Sequence, residues 1–148
     1  MNDERVFLDT NIIVYAYDRD AGRKHEIAGK LMIDLWNDQG GILSTQVLQE
    51  FYITVTKKVA SPLTPNSARE IITDLLTWSV VVNDGEDVVR AIDLHIGEKI
   101  SFRDALVVAA AGKGGADVLM SEDLADGRKF GNVTVRNPFT DRLRARGV

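Results

Sequence analysis

The sequence predicts an α/β fold, a mainly parallel sheet of about five short strands with helices covering both faces. Three observations point there. Short apolar runs recur along the chain: Val6-Phe7-Leu8, Ile42-Leu43, Val80-Val81-Val82, Val118-Leu119-Met120 and Val133-Thr134-Val135. Between most of them lie longer stretches whose apolar residues fall at helical spacing. Near-continuous apolar strands, as opposed to alternating ones, belong to sheets buried on both sides. The 148 residues contain no internal repeat, low-complexity segment or linker, so residues 1–148 read as one domain.

Taken in order, Val6 to Leu8 is the first strand, and Asp9-Thr10-Asn11 is a turn whose Thr and Asn are suited to cap the next element. Ile12 to Tyr17 is ambiguous by periodicity. From about 21 to 37, the spacing of Ile27, Ala28, Leu31, Met32, Leu35 and Trp36 predicts an amphipathic helix. Gly40-Gly41 breaks it before the second strand. A third helix starts at Ser44 or Thr45, where a hydroxyl can cap, and carries Val47, Leu48, Phe51, Tyr52 and Val55 to Lys57-Lys58. After the loop Ser61-Pro62-Leu63-Thr64-Pro65 comes a helix expected to turn Ala68, Ile71, Ile72, Leu75 and Leu76 to the core. Asp84 with Asp87 has capping-box spacing and opens a helix through Val88, Val89, Ile92 and Ile96. Ser101 and Asp104 repeat that spacing before Ala105 to Ala111, so apolar that the helix must be covered on most sides.

Composition narrows the chemistry. A hydrophobic share of 45% with 27% charged residues is globular, and no apolar run approaches the roughly 20 residues a bilayer demands. The Asp3-Glu4-Arg5 opening lacks the basic and apolar regions of a signal peptide, so a cytoplasmic protein is expected. Without cysteine there are no disulfides, thiolate metal sites or thiol nucleophiles. The net charge of −4 speaks against a general polyanion binder. From Arg128 onward, however, Lys and Arg (Arg128, Lys129, Arg136, Arg142, Arg144, Arg146) face only Asp141, an end able to meet a polyanion or to remain a solvated basic tail.

Four acids stand in unusually apolar company: Asp9 after the first strand, Glu50 between Val47-Leu48 and Phe51-Tyr52-Ile53, Asp104 before Ala105, and Asp123 after the Val118 strand. In an open α/β sheet, sites form beyond the carboxyl ends of the strands, the edge where Asp9 and Asp123 fall. Gathered there, ionised carboxylates repel one another until one takes a proton or a cation joins them. Oxygen donors without His or Cys select Mg²⁺ or Mn²⁺, and the chemistry implied is metal-assisted phosphodiester hydrolysis. Each acid also has a plainer reading: Asp9 as a turn or cap, Asp104 as half of a capping box, Glu50 as a helix-surface residue, and Asp123 rivalled by Glu122 and Asp126.

The wording around these acids resembles the PIN-domain ribonucleases. Asp9-Thr10-Asn11, Glu50 in the helix after the second strand, Ser101-Phe102-Arg103-Asp104-Ala105 and Ser121-Glu122-Asp123-Leu124 occur in that family's order. The similarity is greatest to VapC-type toxins of bacterial toxin–antitoxin pairs and runs through the Phe130-to-Phe139 ending. It implies a three-layer α/β/α sandwich, Mg²⁺- or Mn²⁺-dependent endoribonuclease activity, and metal held by the catalytic acids Asp9, Glu50, Asp104 and Asp123. Thr10, Asn11 and Ser121 match positions that orient the acids or the metal-bound water. Many relatives carry an aromatic residue before the third acid; Arg103 replaces it here and, as a bidentate donor, suits a substrate phosphate.

The resemblance further implies an RNA substrate, a homodimer and a cognate antitoxin whose peptide fills a groove beside the site. Tyr15, Tyr17, Leu31, Leu35, Trp36, Phe51 and Tyr52 are the residues to line that groove or the core, and His25 and His95 are expected to be non-catalytic. The competing readings are a catalytically silent metal- or RNA-binding module and a solitary RNA-processing nuclease without an antitoxin. An aspartate-nucleophile phosphatase is disfavoured, because Asn11 stands two residues after Asp9, where such enzymes need a second acid.

Overall fold

A computed structural model of the chain describes residues 3–140. Six strands form one sheet in the order β3-β2-β1-β4-β6-β5: β1 (Val6–Leu8), β2 (Gly41–Ser44), β3 (Ser79–Val81), β4 (Val118–Met120), β5 (Lys129–Phe130) and β6 (Val133–Arg136). The first five positions run parallel, and the two-residue β5 joins the edge antiparallel to β6. This is the expected mainly parallel sheet with one extra edge strand. β1, β2 and β4 are buried at every position, as strands covered on both faces must be.

Six helices cover the sheet: α1 (Thr10–Tyr17), α2 (Arg23–Asp38), α3 (Thr45–Lys57), α4 (Pro65–Leu75), α5 (Gly85–Glu98) and α6 (Phe102–Lys113). The ambiguous stretch after β1 is helical, and Asp9, not Thr10 or Asn11, is its cap: the Asp9 carboxylate accepts from the Thr10 amide at 2.7 Å. Ser44 and Ser101 cap α3 and α6 through their hydroxyls, accepting from the Val47 and Asp104 amides at 3.2 and 3.1 Å. The register pairs Leu8 with Met120 and Phe7 with Ile42, so β1, β2 and β4 end at one rim. From that rim α1 and α3 leave directly.

One expectation about helix faces is corrected. Leu76 caps the end of α4 and is exposed instead of packing in the core. On α5, Val88, Val89, Ile92 and Ile96 all face outward. The inner stripe of α5 is Asp87, Ala91 and Leu94, spaced i, i+4, i+7. Asp87 closes the capping box with Asp84 and receives the ammonium of Lys113 from α6 at 2.5 Å, which fixes the rotation of α5 about its axis. By contrast α6 buries Ala105 and everything from Val107 to Ala111, as its composition requires.

The Gly40-Gly41 break has a packing reason. A Cβ on Gly40 would come within 2.7 Å of the Glu4 carbonyl, and one on Gly41 within 2.3 Å of the Trp78 ring. The left-handed residue ending α2 is Gln39. Trp78 in turn meets Trp36 edge-on at 5.2 Å.

Candidate active site

The site is built at the rim where β1, β2 and β4 end. Asp9 extends one residue beyond β1, and its amide donates to the Met120 carbonyl of β4 at 3.0 Å. The same residue of β4 leads into Ser121, whose hydroxyl donates to Asp9 Oδ2 at 3.0 Å and accepts from the Asp123 amide at 3.2 Å. Ser121 is therefore a fully buried strut that spaces two acids. Asp104 arrives from the first turn of α6, where unpaired amides favour negative charge.

Asp9, Asp104 and Asp123 each offer a carboxylate oxygen, and these atoms lie within 4.8 Å of one another. Asp9 is buried, Asp104 partly so and Asp123 exposed, which leaves the trio open on one side. An all-oxygen, partly solvated donor set of this kind fits a hard divalent cation and not zinc. Burial first, then the charges of Asp9 and Asp104, push the Asp123 carboxyl above its ordinary range.

Glu50, from the second turn of α3, stands beside the trio in different company. Thr10 Oγ1 donates to its Oε1 at 2.5 Å, and Gln46, one turn earlier on α3, reaches Oε2 at 3.4 Å. Arg103 connects the two groups. Its Nη2 donates to Asp9 Oδ1 at 2.7 Å, Glu50 Oε1 at 2.5 Å and Thr10 Oγ1 at 2.8 Å. Its Nη1 donates to Asp104 Oδ1 at 3.0 Å and Asp9 Oδ2 at 3.2 Å, and its Nε to Glu50 Oε2 at 3.3 Å. Partial burial alone would raise the Glu50 carboxyl, but the bonds from Arg103 and Thr10 outweigh it and hold the group below its usual value. Burial likewise opposes the Arg103 charge, and bonds to Glu50 and Asp9 more than restore it.

A cleft of about 300 Å³ is lined by Thr10, Glu50, Arg103 and Asp123 together with Asn11, Ile53, Thr54 and Lys58. Lys58 and Gln46 are the site residues that sequence reasoning misses. Gln46 precedes Glu50 by four residues and is visible as a same-face helical pair; Lys58 carries no such signal. The two rival acids are engaged elsewhere. Glu122 takes the Tyr15 hydroxyl and, at 2.7 Å, the Lys24 ammonium, while Asp126 accepts from the Asn137 amide at 3.0 Å.

His25 and His95 each place Nδ1 against a backbone carbonyl, of Tyr15 and Ile100, and neither enters the acid cluster. Of the residues expected in a groove or the core, Leu35 and Phe51 belong to the core, and Leu35 with Trp36 also borders a cleft beside Trp78. Tyr52 lies in an apolar cleft of about 390 Å³ with Leu48, Ile53 and Ile72, and Ile53 borders both this cleft and the acidic one. Within the basic C-terminal stretch, Arg128 donates to the Glu98 carbonyl and Arg136 pairs with Glu4. Asp141, Arg142, Arg144 and Arg146 lie outside the described residues.

A parallel α/β domain with a carboxylate trio on its carboxyl rim defines a class of acid-cluster proteins. Within that class, the PIN domain family model matches residues 6–125, and the chain belongs to that family. Solved structures share the fold. A toxin–antitoxin complex from Klebsiella pneumoniae aligns with a TM-score of 0.66 at 19% identity, covering 90% of this chain and 98% of that one. VapBC2 of Rickettsia felis, bound to a DNA fragment from its promoter, gives 0.62 at 20% identity over 89% and 97%. VapC20 of Mycobacterium tuberculosis, a toxin that cleaves the sarcin–ricin loop, gives 0.60 at 18% identity over 77% and 86%. No curated protein matches the chain in sequence. Among the described residues no helix is long and apolar enough to cross a membrane.

Proposed function

We propose that this PIN-domain protein is a Mg²⁺- or Mn²⁺-dependent endoribonuclease, the toxin of a toxin–antitoxin pair, acting on single-stranded or looped RNA. The observation that carries the reading is the oxygen trio of Asp9, Asp104 and Asp123, gathered within 4.8 Å from three distant parts of the chain. These three would hold the ion, with Glu50 at its flank. When bound, such an ion supplies a water of lowered pKa and neutralises charge growing on the phosphoryl group, giving 5′-phosphate and 3′-hydroxyl ends.

The remaining work falls to residues of the chain. Ser121 and the Thr10 amide lock both oxygens of Asp9, and Thr10 Oγ1 orients Glu50. Lys58 and Arg103 put positive charge in an otherwise acidic cleft, where a phosphate backbone needs it. Asn11 lines the same cleft and presents an amide to substrate or water. The adjoining apolar cleft at Leu48, Tyr52, Ile53 and Ile72 suits a segment of an antitoxin, so bound peptide would reach the acid cluster across Ile53. A homodimer, a cytoplasmic setting and a small DNA-binding protein encoded alongside complete the proposal.

The test is cleavage of a single-stranded RNA by the full chain with Mg²⁺ or Mn²⁺, resolved on a denaturing gel. Asp9→Ala and Asp104→Ala should each lower the rate by more than about 100-fold, above the range for a partner outside the ligand set. Their circular dichroism should match the parent. Cleavage retained by either folded variant refutes its role.

A further inference from the structure

We infer that Arg103 is a resident counter-ion of the acid cluster, which a divalent cation has to displace in order to bind. The inference rests on the proposed metal site and adds to it a competition built into the chain.

All three guanidinium nitrogens of Arg103 are spent on the cluster, reaching Asp9, Glu50, Asp104 and Thr10. Both oxygens of Asp9 are affected. Oδ1 is shared between the Thr10 amide and Nη2, and Oδ2 between the Ser121 hydroxyl and Nη1. Asp104 Oδ1 is taken as well. Two of the three acids that would hold an ion are thus already answering a positive charge.

A guanidinium and a dication cannot both sit against Asp9 at this range without strong mutual repulsion. One of them has to go. The covalent frame favours movement of the arginine: its side chain is 34% exposed, at the edge of the cleft and in the first turn of α6. Ser121 and the Thr10 amide keep Asp9 in place when it leaves, because neither bond involves Arg103.

Once released, the guanidinium remains on the rim of the cleft as a five-donor fork matched to phosphate. Loading the cluster therefore exposes a phosphate-binding group. In the ion-free protein the same group masks the acids and holds them together. The exchange lowers apparent metal affinity, since only the fraction of molecules with Arg103 displaced is competent to bind.

Calorimetric titration of the full chain with MnCl₂, without RNA, tests this. Arg103→Ala should bind Mn²⁺ about tenfold more tightly than the parent, the competitor having been removed. Its metal-free melting temperature should fall, and Mn²⁺ should restore it. Should the unpaired acids keep that variant from folding, Glu50→Gln compared with Arg103→Ala/Glu50→Gln asks the same question with one acid fewer in the cluster, and the double variant should again bind more tightly. Mn²⁺ binding that is equal or weaker in Arg103→Ala than in the parent, and in the double variant than in Glu50→Gln, with the parent binding normally, overturns the displacement. Absence of Mn²⁺ uptake by all four proteins overturns the metal-site reading and this inference with it.

Discussion

Asp123 is the residue in which the conflict inside the cluster is most visible. Burial and the nearby charges of Asp9 and Asp104 raise its carboxyl pKa, so the folded protein holds that proton more tightly than the unfolded chain does. The cost is absent below the unfolded pKa, grows as pH rises through the folded one and is fully present at neutral pH. Asp123→Asn should therefore stabilise the metal-free protein at pH 7 and leave it unchanged near pH 3. The side chain is largely solvated, so the gain is below about 1 kcal/mol. Paired thermal melts at the two pH values in EDTA check this, and an equal shift at both would assign it to packing instead of charge. Asp9, Asp104 and Asp123 were legible in the sequence as acids at the ends of apolar runs, whereas Ser121, which bonds Asp9 and Asp123, stood out only through the family resemblance. The role of Arg103 was not legible: its position next to Asp104 was plain, but a side chain that bridges residues 9, 50 and 104 is a property of the folded rim, since sequence spacing says nothing of which way a long cation reaches.

The rotation of α5 shows the same limit for an element. Its capping box at Asp84 and Asp87 was readable from spacing, but which of its sides faces inward was not. The structure turns Val88, Val89, Ile92 and Ile96 out because the side chain at Asp87 goes in, to Lys113 of α6. Periodicity weighs apolar residues and has no means of seeing a charge partner 26 residues away. Contact with Lys113, followed by the backbone bond at Asp84, holds the Asp87 carboxyl down from its ordinary 3.8 to about 2. A depressed carboxyl contributes stability that is present above its unfolded pKa and lost as pH falls through the folded one. Thermal melts should decline between about pH 4 and pH 2 partly for this reason. Asp87→Asn should melt lower at pH 7 and show a shallower decline across that window. A parallel decline in the variant would place the acid sensitivity elsewhere.

At the scale of the molecule, the site exists because the chain crosses the sheet so that β1 lies between β2 and β4 with all three ending together. One-residue slippage of β4 against β1 would turn every side chain of β4 to the opposite face, carrying Ser121 away from Asp9. The fully buried triplets Val6–Leu8 and Val118–Met120 oppose such a slip from both faces of the sheet. The rim is thus held open by the core, and the acids contribute repulsion that the core and Arg103 offset. A cation that binds only this folded arrangement must stabilise it by mass action, by about 2.7 kcal/mol at a free concentration one hundred times its dissociation constant. In a domain of this size that corresponds to a rise in melting temperature of roughly 5–10 °C. The rise should track Mn²⁺ concentration logarithmically and disappear with EDTA. Asp9→Asn should remove most of it, because Asp9 is the buried member of the trio, while the distant Val89→Thr on the outer face of α5 should retain it in full. If Asp9→Asn keeps the parent's Mn²⁺-dependent rise, the ion is held somewhere other than this rim.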